Sequence, residues 1–392
     1  MEEWETYTLK ELSKGKGEYG IGAPAIPFNK DKYTYLRITD INDDGTLNYS
    51  GLMSVDSEDA EKYLLEKNDI VFARTGNSTG RSYFYDGRDG VLVYAGFLIR
   101  FRLDDQKVNP RILKYYTHSQ PYYNWVKSFD TGGTRGNINA KTYGDMPLCL
   151  PPRPIQNRIV EILDALDDKI ENNRRINDNL EQQAQALYKQ WFVDFDTIKL
   201  GDAITTTSGG TPSRKNPEYY DGNYDWVKSK ELNCSFIIDT EEKITEQAIS
   251  KSAAKMLPKK SVLIAMYGAT VGQYALLSSS MACNQAVCAL LPNENYPYTY
   301  LFMFAKNKKE ELINKAVGSA QQNISQVLIK DLDISNDILK IKQFHTIVNP
   351  FFETIEKNQQ EITRLTTLRD TLLPKLMSGE LSVDDISTDL VC

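Results

Sequence analysis

Two stretches of the chain space apolar residues in alternating steps of four and three. The first carries Ile159, Leu163, Leu166, Ile170, Leu180, Ala184, Leu187 and Trp191, with Asn173 and Asn177 in the gaps. The second carries Phe344, Val348, Phe351, Ile355, Ile362, Leu365, Leu372 and Leu376, interrupted at Asn358. A 3.5-residue period lays one apolar seam along a helix, so long helices are expected over 154–192 and roughly 340–377. Each seam runs about five heptads, longer than a domain of this size needs for its own packing. The seams are therefore expected to pack on each other as an antiparallel coiled coil. Asn173 and Asn358 should meet at its centre and fix the register. Pro350 lies inside the second seam. Lacking an N–H and clashing one turn back, it should make that helix start late or kink.

Between the helical stretches the pattern shortens. Asp69–Ala73, Gly90–Tyr94 and Ser261–Ala265 read as strands, set off by Gly and Asn turns. The tyrosine-rich segment Pro110–Val126 reads as a helix. The same features recur at a shift of about 190 residues, far beyond a solenoid period. Ile162 matches Ile347, Ile170 matches Ile355, and Asn173 matches Asn358. Gly76 and Gly80 match Gly268 and Gly272, and Asn137-Ile138-Asn139 matches Asn323-Ile324-Ser325. The expected architecture is α+β: two pseudo-symmetric, strand-rich domains, 1–150 and 196–337, separated by two long helices, 151–195 and 338–392. Duplication of this kind points to paired half-sites or paired partners.

Composition narrows the class. The chain is 41% hydrophobic and 25% charged, which is globular, and no run of about 18 apolar residues appears to span a membrane. The start, MEEWETYTLK, lacks the apolar stretch of a signal peptide. Five scattered cysteines without a CxxC pair, and only two histidines, argue against zinc and for reduced thiols in the cytoplasm. A net charge of −7 argues against general coating of DNA and leaves room for a local basic face.

Four segments carry a family resemblance. Residues 155–195, IQNRIVEILDALDDKIENNRRINDNLEQQAQALYKQWFVDF, resemble the central helix of Type I restriction-modification specificity subunits. LLPKLMSGEL, residues 372–381, resembles the end of their second helix. Ser208-Gly209-Gly210-Thr211-Pro212 resembles the opening loop of a recognition domain. Gly318 to Ser325 resembles the segment leading into the helix. The resemblance implies two target-recognition domains, each reading half of a split double-stranded DNA site, with helices that set the spacing and dock two methyltransferase subunits. Restriction-motor subunits would complete the enzyme. S-adenosylmethionine, ATP and Mg2+ would belong to those partners and none to this chain. The other class compatible with the periodicity is a coiled-coil scaffold that binds only proteins.

No catalytic constellation is visible. Asn349-Pro350-Phe351-Phe352 lacks the second proline of an adenine-methyltransferase motif and lies on the seam. Gly76-Asn77-Ser78-Thr79-Gly80-Arg81-Ser82 echoes a phosphate loop but is one residue short and has Arg for Lys. Glu241-Glu242-Lys243 has the tail of a nuclease motif without an upstream partner. Base readout instead needs Arg, Lys, Asn and Gln on loops of a rigid scaffold. The candidates are Arg74, Arg81, Arg135 and Asn137 in the first domain. In the second they are Arg214, Lys215, Lys228, Lys230, Tyr267, Gln273, Gln321 and Gln322. Taken singly, each also fits a solvated surface residue. Duplicated positions such as Arg37/Lys228 and Arg81/Gln273 favour shared structural or phosphate roles, whereas base readers should differ between copies. Arg74, Arg135, Arg214 and Gln321 meet that condition best.

Overall fold

The structure is a computed structural model that describes residues 4–129, 136–193, 196–233, 235–316 and 323–386. The fold is α+β and divides into two units. One unit takes the chain up to Asp167 and again from Thr367 onward; the other is Asp168–Thr366.

The first unit is built on an antiparallel sheet ordered Glu18–Tyr19, Leu98–Arg102, Asp69–Ala73, Ser82–Tyr85. Strand Asp69–Ala73 is buried along its whole length, and its side chains alternate between two cores. Ile70 and Phe72 face a core shared with the helices around Leu113, Tyr143 and Leu163. Val71 and Ala73 face a core formed with Leu36, Leu92 and Tyr94. Those last residues belong to a second, mixed sheet of strands Ala25–Pro27, Met53–Val55, Tyr33–Leu36 and Leu92–Tyr94.

The second unit repeats the plan. Its main sheet runs Thr205–Ser208, Val287–Leu291, Val262–Ala265, Tyr274–Leu277, Phe236–Ile237. Val262 and Ile264 face the helices, while Leu263 and Ala265 face the second sheet. Each unit also closes with a two-stranded ribbon, Glu5–Thr8 on Pro147–Leu150 in the first and Thr197–Lys199 on Asp333–Ser335 in the second.

One element differs from expectation. Pro110–Val126 is not one helix but two, Pro110–Tyr116 and Gln120–Lys127. Asn109 caps the first by accepting from the Arg111 N–H, and Pro121 sits in the first turn of the second. Proline is tolerated there and not in a helix interior, so the chain turns before it. The equivalent segment of the second unit has no proline after its start and forms a single helix, Tyr298–Asn314.

The long helices are Arg153–Trp191, 39 residues, and Ile338–Ser378, 41 residues. The second passes through Pro350 without a break, contrary to the expectation of a late start. Pro350 is exposed, and so is Thr346, whose carbonyl loses its helix hydrogen bond to the proline. Within the second unit the two helices run antiparallel. Asn358 Nδ2 donates to Asn177 Oδ1 at 2.9 Å, and Asn173 Nδ2 donates to Glu361 Oε2 at 2.8 Å. Within the first unit the same pairing places Arg369 3.0 Å from Asp167. The expected Asn173–Asn358 contact is thus displaced by one turn: Asn358 meets Asn177. The repeat tells which residues are equivalent, whereas the facing residue is set by how the seams interlock.

Candidate nucleic-acid interface

In each unit the central strand of the main sheet ends in a glycine turn held by one hydrogen-bond pattern. After Asp69–Ala73 the chain passes Arg74 and Thr75 into the turn Gly76–Ser78. After Val262–Ala265 it passes Met266 and Tyr267 into Gly268–Thr270. Gly76 and Gly268 have φ +73° and +70°, and Gly80 and Gly272 have +88° and +78°, conformations that a side chain would strain. The Gly80 N–H donates to Ala73 O at 3.0 Å, and the Gly272 N–H to Ala265 O at 3.0 Å.

The neighbouring turn, which carries the chain from Leu92–Tyr94 of one sheet into Leu98–Arg102 of the other, is duplicated by the turn from Met281–Cys283 into Val287–Leu291. The Arg74 N–H donates to Phe97 O at 3.1 Å, as the Met266 N–H donates to Ala286 O at 2.8 Å. The segment before the last short helix closes the arrangement, with Ile138 N–H on Arg74 O at 3.0 Å and Ile324 N–H on Met266 O at 2.9 Å. Gly20 and Gly209 run along that turn, where a Cβ would come within 2.3 Å of the Ala95 carbonyl oxygen and 2.0 Å of that of Cys283. The backbone platform is therefore the same in both units.

The side chains on it are not. In the first unit the Arg74 guanidinium lies over the Tyr19 ring, 5.1 Å from its centroid. Its Nε is buried with no hydrogen-bond partner. Tyr19 is 43% exposed, and its hydroxyl accepts from the Ala140 N–H at 3.1 Å. Phe97 is 59% exposed, and Asn137 in the closing segment is exposed too. In the second unit Met266 is buried in the core, and Ser208 stands where Tyr19 does. Tyr267 is 40% exposed and bridges to Asn323. The turn between Met281–Cys283 and Val287–Leu291 presents Gln285, exposed, whose Oε1 accepts from the Thr211 hydroxyl.

Several other candidates are occupied by their own unit. Arg81 pairs with Asp43 at 2.6 Å and donates to Ile41 O at 3.1 Å. Its counterpart Gln273 accepts from Lys309 at 3.1 Å. Arg214 stacks on Tyr220 at 4.1 Å and pairs with Glu242 at 2.6 Å. Lys228 reaches Glu242 at 2.8 Å and Glu241 at 3.1 Å, and Lys230 reaches Glu241 at 2.6 Å. Hydrogen bonds from these lysines hold both carboxyls below the usual range, and Lys228 is raised in turn. Glu241 and Glu242 are thus counter-ions of a surface network. Lys215 is exposed beside Arg214, and no ion pair is formed by it among the described residues. Arg135, Gln321 and Gln322 lie outside the described residues.

The glycine turn is followed by strand Ser82–Tyr85, not by the helix a phosphate loop requires. Phe352 of the Asn-Pro-Phe-Phe segment is fully buried against Phe302, 5.3 Å between centroids. Among the described residues no three His, Cys, Asp or Glu side chains are grouped to hold a metal, and no helix is long and apolar enough to cross a membrane. Sequence reasoning missed Tyr19, Phe97 and Gln285. Aligning the two turns that join the sheets, Gly96-Phe97-Leu98 on Gln285-Ala286-Val287, would have exposed the last two.

A family model described as the Type I restriction modification DNA specificity domain matches residues 1–182 and again 193–367. The HindI specificity subunit of Haemophilus influenzae is 24% identical over 473 aligned residues, covering 97% of this chain and 100% of that protein. The MjaIX specificity subunit of Methanocaldococcus jannaschii is 25% identical, covering 70% of this chain and 69% of that protein. The S subunit of a Type I restriction-modification system from M. genitalium superposes with a TM-score of 0.57 at 18% identity, over 96% of both chains, and shares the fold. With one domain match in each half, the chain belongs to the Type I restriction-modification DNA specificity family and is built as a specificity subunit.

Proposed function

We propose that each unit reads one half of a bipartite double-stranded DNA site. The two long helices set the separation of the halves and dock two methyltransferase subunits. Restriction-motor subunits complete the assembly, and the methyl donor, ATP and Mg2+ are held by those partner chains. The observation that carries this reading is the duplicated platform: one backbone in both units, with different exposed side chains on its turns. A common structural or phosphate-binding role would favour the same side chains twice; readout of two different half-sites requires them to differ. The net charge of −7 supports dependence on partners, because phosphate contacts supply much of DNA affinity.

The test is to purify the chain with its methyltransferase partner and map the methylated adenines in DNA exposed to the complex. Two short specified sequences separated by a fixed unspecified gap are expected. A single continuous motif, or no sequence preference, would contradict the reading.

A further inference from the structure

Resting on that bipartite reading, we infer that Arg74 reads a guanine in the half-site of the first unit and Gln285 reads an adenine in the half-site of the second. In the major groove guanine presents two acceptors, O6 and N7, which match two N–H groups of a guanidinium. Adenine presents an acceptor, N7, beside a donor, N6–H, which match a side-chain amide.

Arg74 is set apart from the other candidate arginines by what it does not touch. Arg81 and Arg214 are each neutralised by a carboxylate at 2.6 Å. No carboxylate pairs with Arg74 among the described residues, and its Nε has no partner. Its guanidinium plane is held over Tyr19, and Tyr19 is held by the Ala140 N–H. The side chain therefore loses little freedom on meeting a base. In the second unit the corresponding Met266 is apolar and buried, so guanine cannot be read from that position.

The second unit instead raises a reader on the turn between Met281–Cys283 and Val287–Leu291. Gln285 occupies the place of Gly96, which has no side chain. The Thr211 hydroxyl donates to its Oε1 and so orients the amide. One lone pair of Oε1 remains for an adenine N6–H, and Nε2 is available to donate to N7. The two units thus place their readers on different turns of one platform. Nothing in this requires the half-sites to resemble each other.

The experiment is selection from a randomised duplex library, using the chain in complex with its methyltransferase. Arg74→Ala, Arg74→Lys and Gln285→Ala are compared with the parent, and thermal melting of each confirms folding. Arg74→Ala should lose a guanine preference at one position of one half, by roughly 5- to 150-fold, with the other half unchanged, and Arg74→Lys should lose less of it. Arg74→Lys keeps the charge and the salt dependence but not the two-pronged geometry, so binding to unselected DNA should survive. Gln285→Ala should lose an adenine preference in the other half by a similar factor. Retention of the guanine preference by Arg74→Ala, or an equal loss over all sequences in that variant, would show that Arg74 does not read the base and overturn the assignment. An intact adenine in Gln285→Ala would overturn its second half. A parent motif of one part that still loses its guanine in Arg74→Ala would sink the bipartite reading and leave the Arg74 assignment standing.

Discussion

Replacing Asn177 and Asn358 by leucine, singly and together, measures what the polar pair contributes to the helix seam of the second unit. Asn177 is 8% exposed and accepts from Asn358 at 2.9 Å. Ile170, Ala184, Ile355 and Ile362 are the buried apolar residues of the same two helix stretches. Asn358→Leu leaves the Asn177 oxygen buried without its donor, which costs about 1–3 kcal/mol. Asn177→Leu strands the Asn358 amide, which is half-buried, and should cost somewhat less. The double replacement removes both polar groups and continues the leucine-rich seam, so it should be near neutral or stabilising. The double mutant is then more stable than the sum of the singles by about 2 kcal/mol. Urea unfolding followed by circular dichroism gives the three values against the parent. Additive singles, with a coupling below about 0.5 kcal/mol, would show that the two amides do not depend on each other.

Asp69 gives a pH signature. Burial pushes its carboxyl up to about 6 from 3.8, despite the Glu66 N–H and Arg100. A raised carboxyl stabilises the fold fully below about pH 4, and that contribution, up to about 3 kcal/mol, is lost as pH rises through about 6. Asp69→Asn should remove this fall from urea titrations between pH 4 and 7; an unchanged slope would contradict it. Cys283 and Cys288 are fully buried with thiols pushed up to about 12, while Cys149 is exposed. Maleimide at neutral pH should label Cys149 and spare the other two until the chain is unfolded, as read by peptide mass. A heptad inserted at equivalent places in both long helices adds about 10 Å while keeping the seams in phase. The unspecified gap of the methylated motif should lengthen by roughly 3 base pairs with both halves unchanged; an unaltered gap would show that the helices do not set the spacing.

The long helices and the duplication were legible because each rests on a local period. The glycine pairs 76/80 and 268/272 were legible because positive φ demands that residue type twice at one spacing. The helix register was not, since equivalence between repeats does not say which residues face each other, and Asn358 met Asn177 one turn away. The base-reading candidates were only partly visible. Arg81, Arg214, Lys228 and Lys230 look like DNA contacts until Asp43, Glu241 and Glu242 arrive beside them from distant positions. Tyr19 looks unremarkable until its strand pairs with Leu98–Arg102 and brings it under Arg74. Such facts are made by long-range pairing and leave no periodic trace.

The central claim, that each unit reads its own half of the site, is tested most directly by exchange. Residues 1–150 are replaced by the corresponding domain of a family member whose methylated motif has been mapped, and the motif of the hybrid complex is determined. One half should change to that of the donor, while the other half and the gap stay as in the parent. A motif altered in both halves, or in neither, would contradict the account.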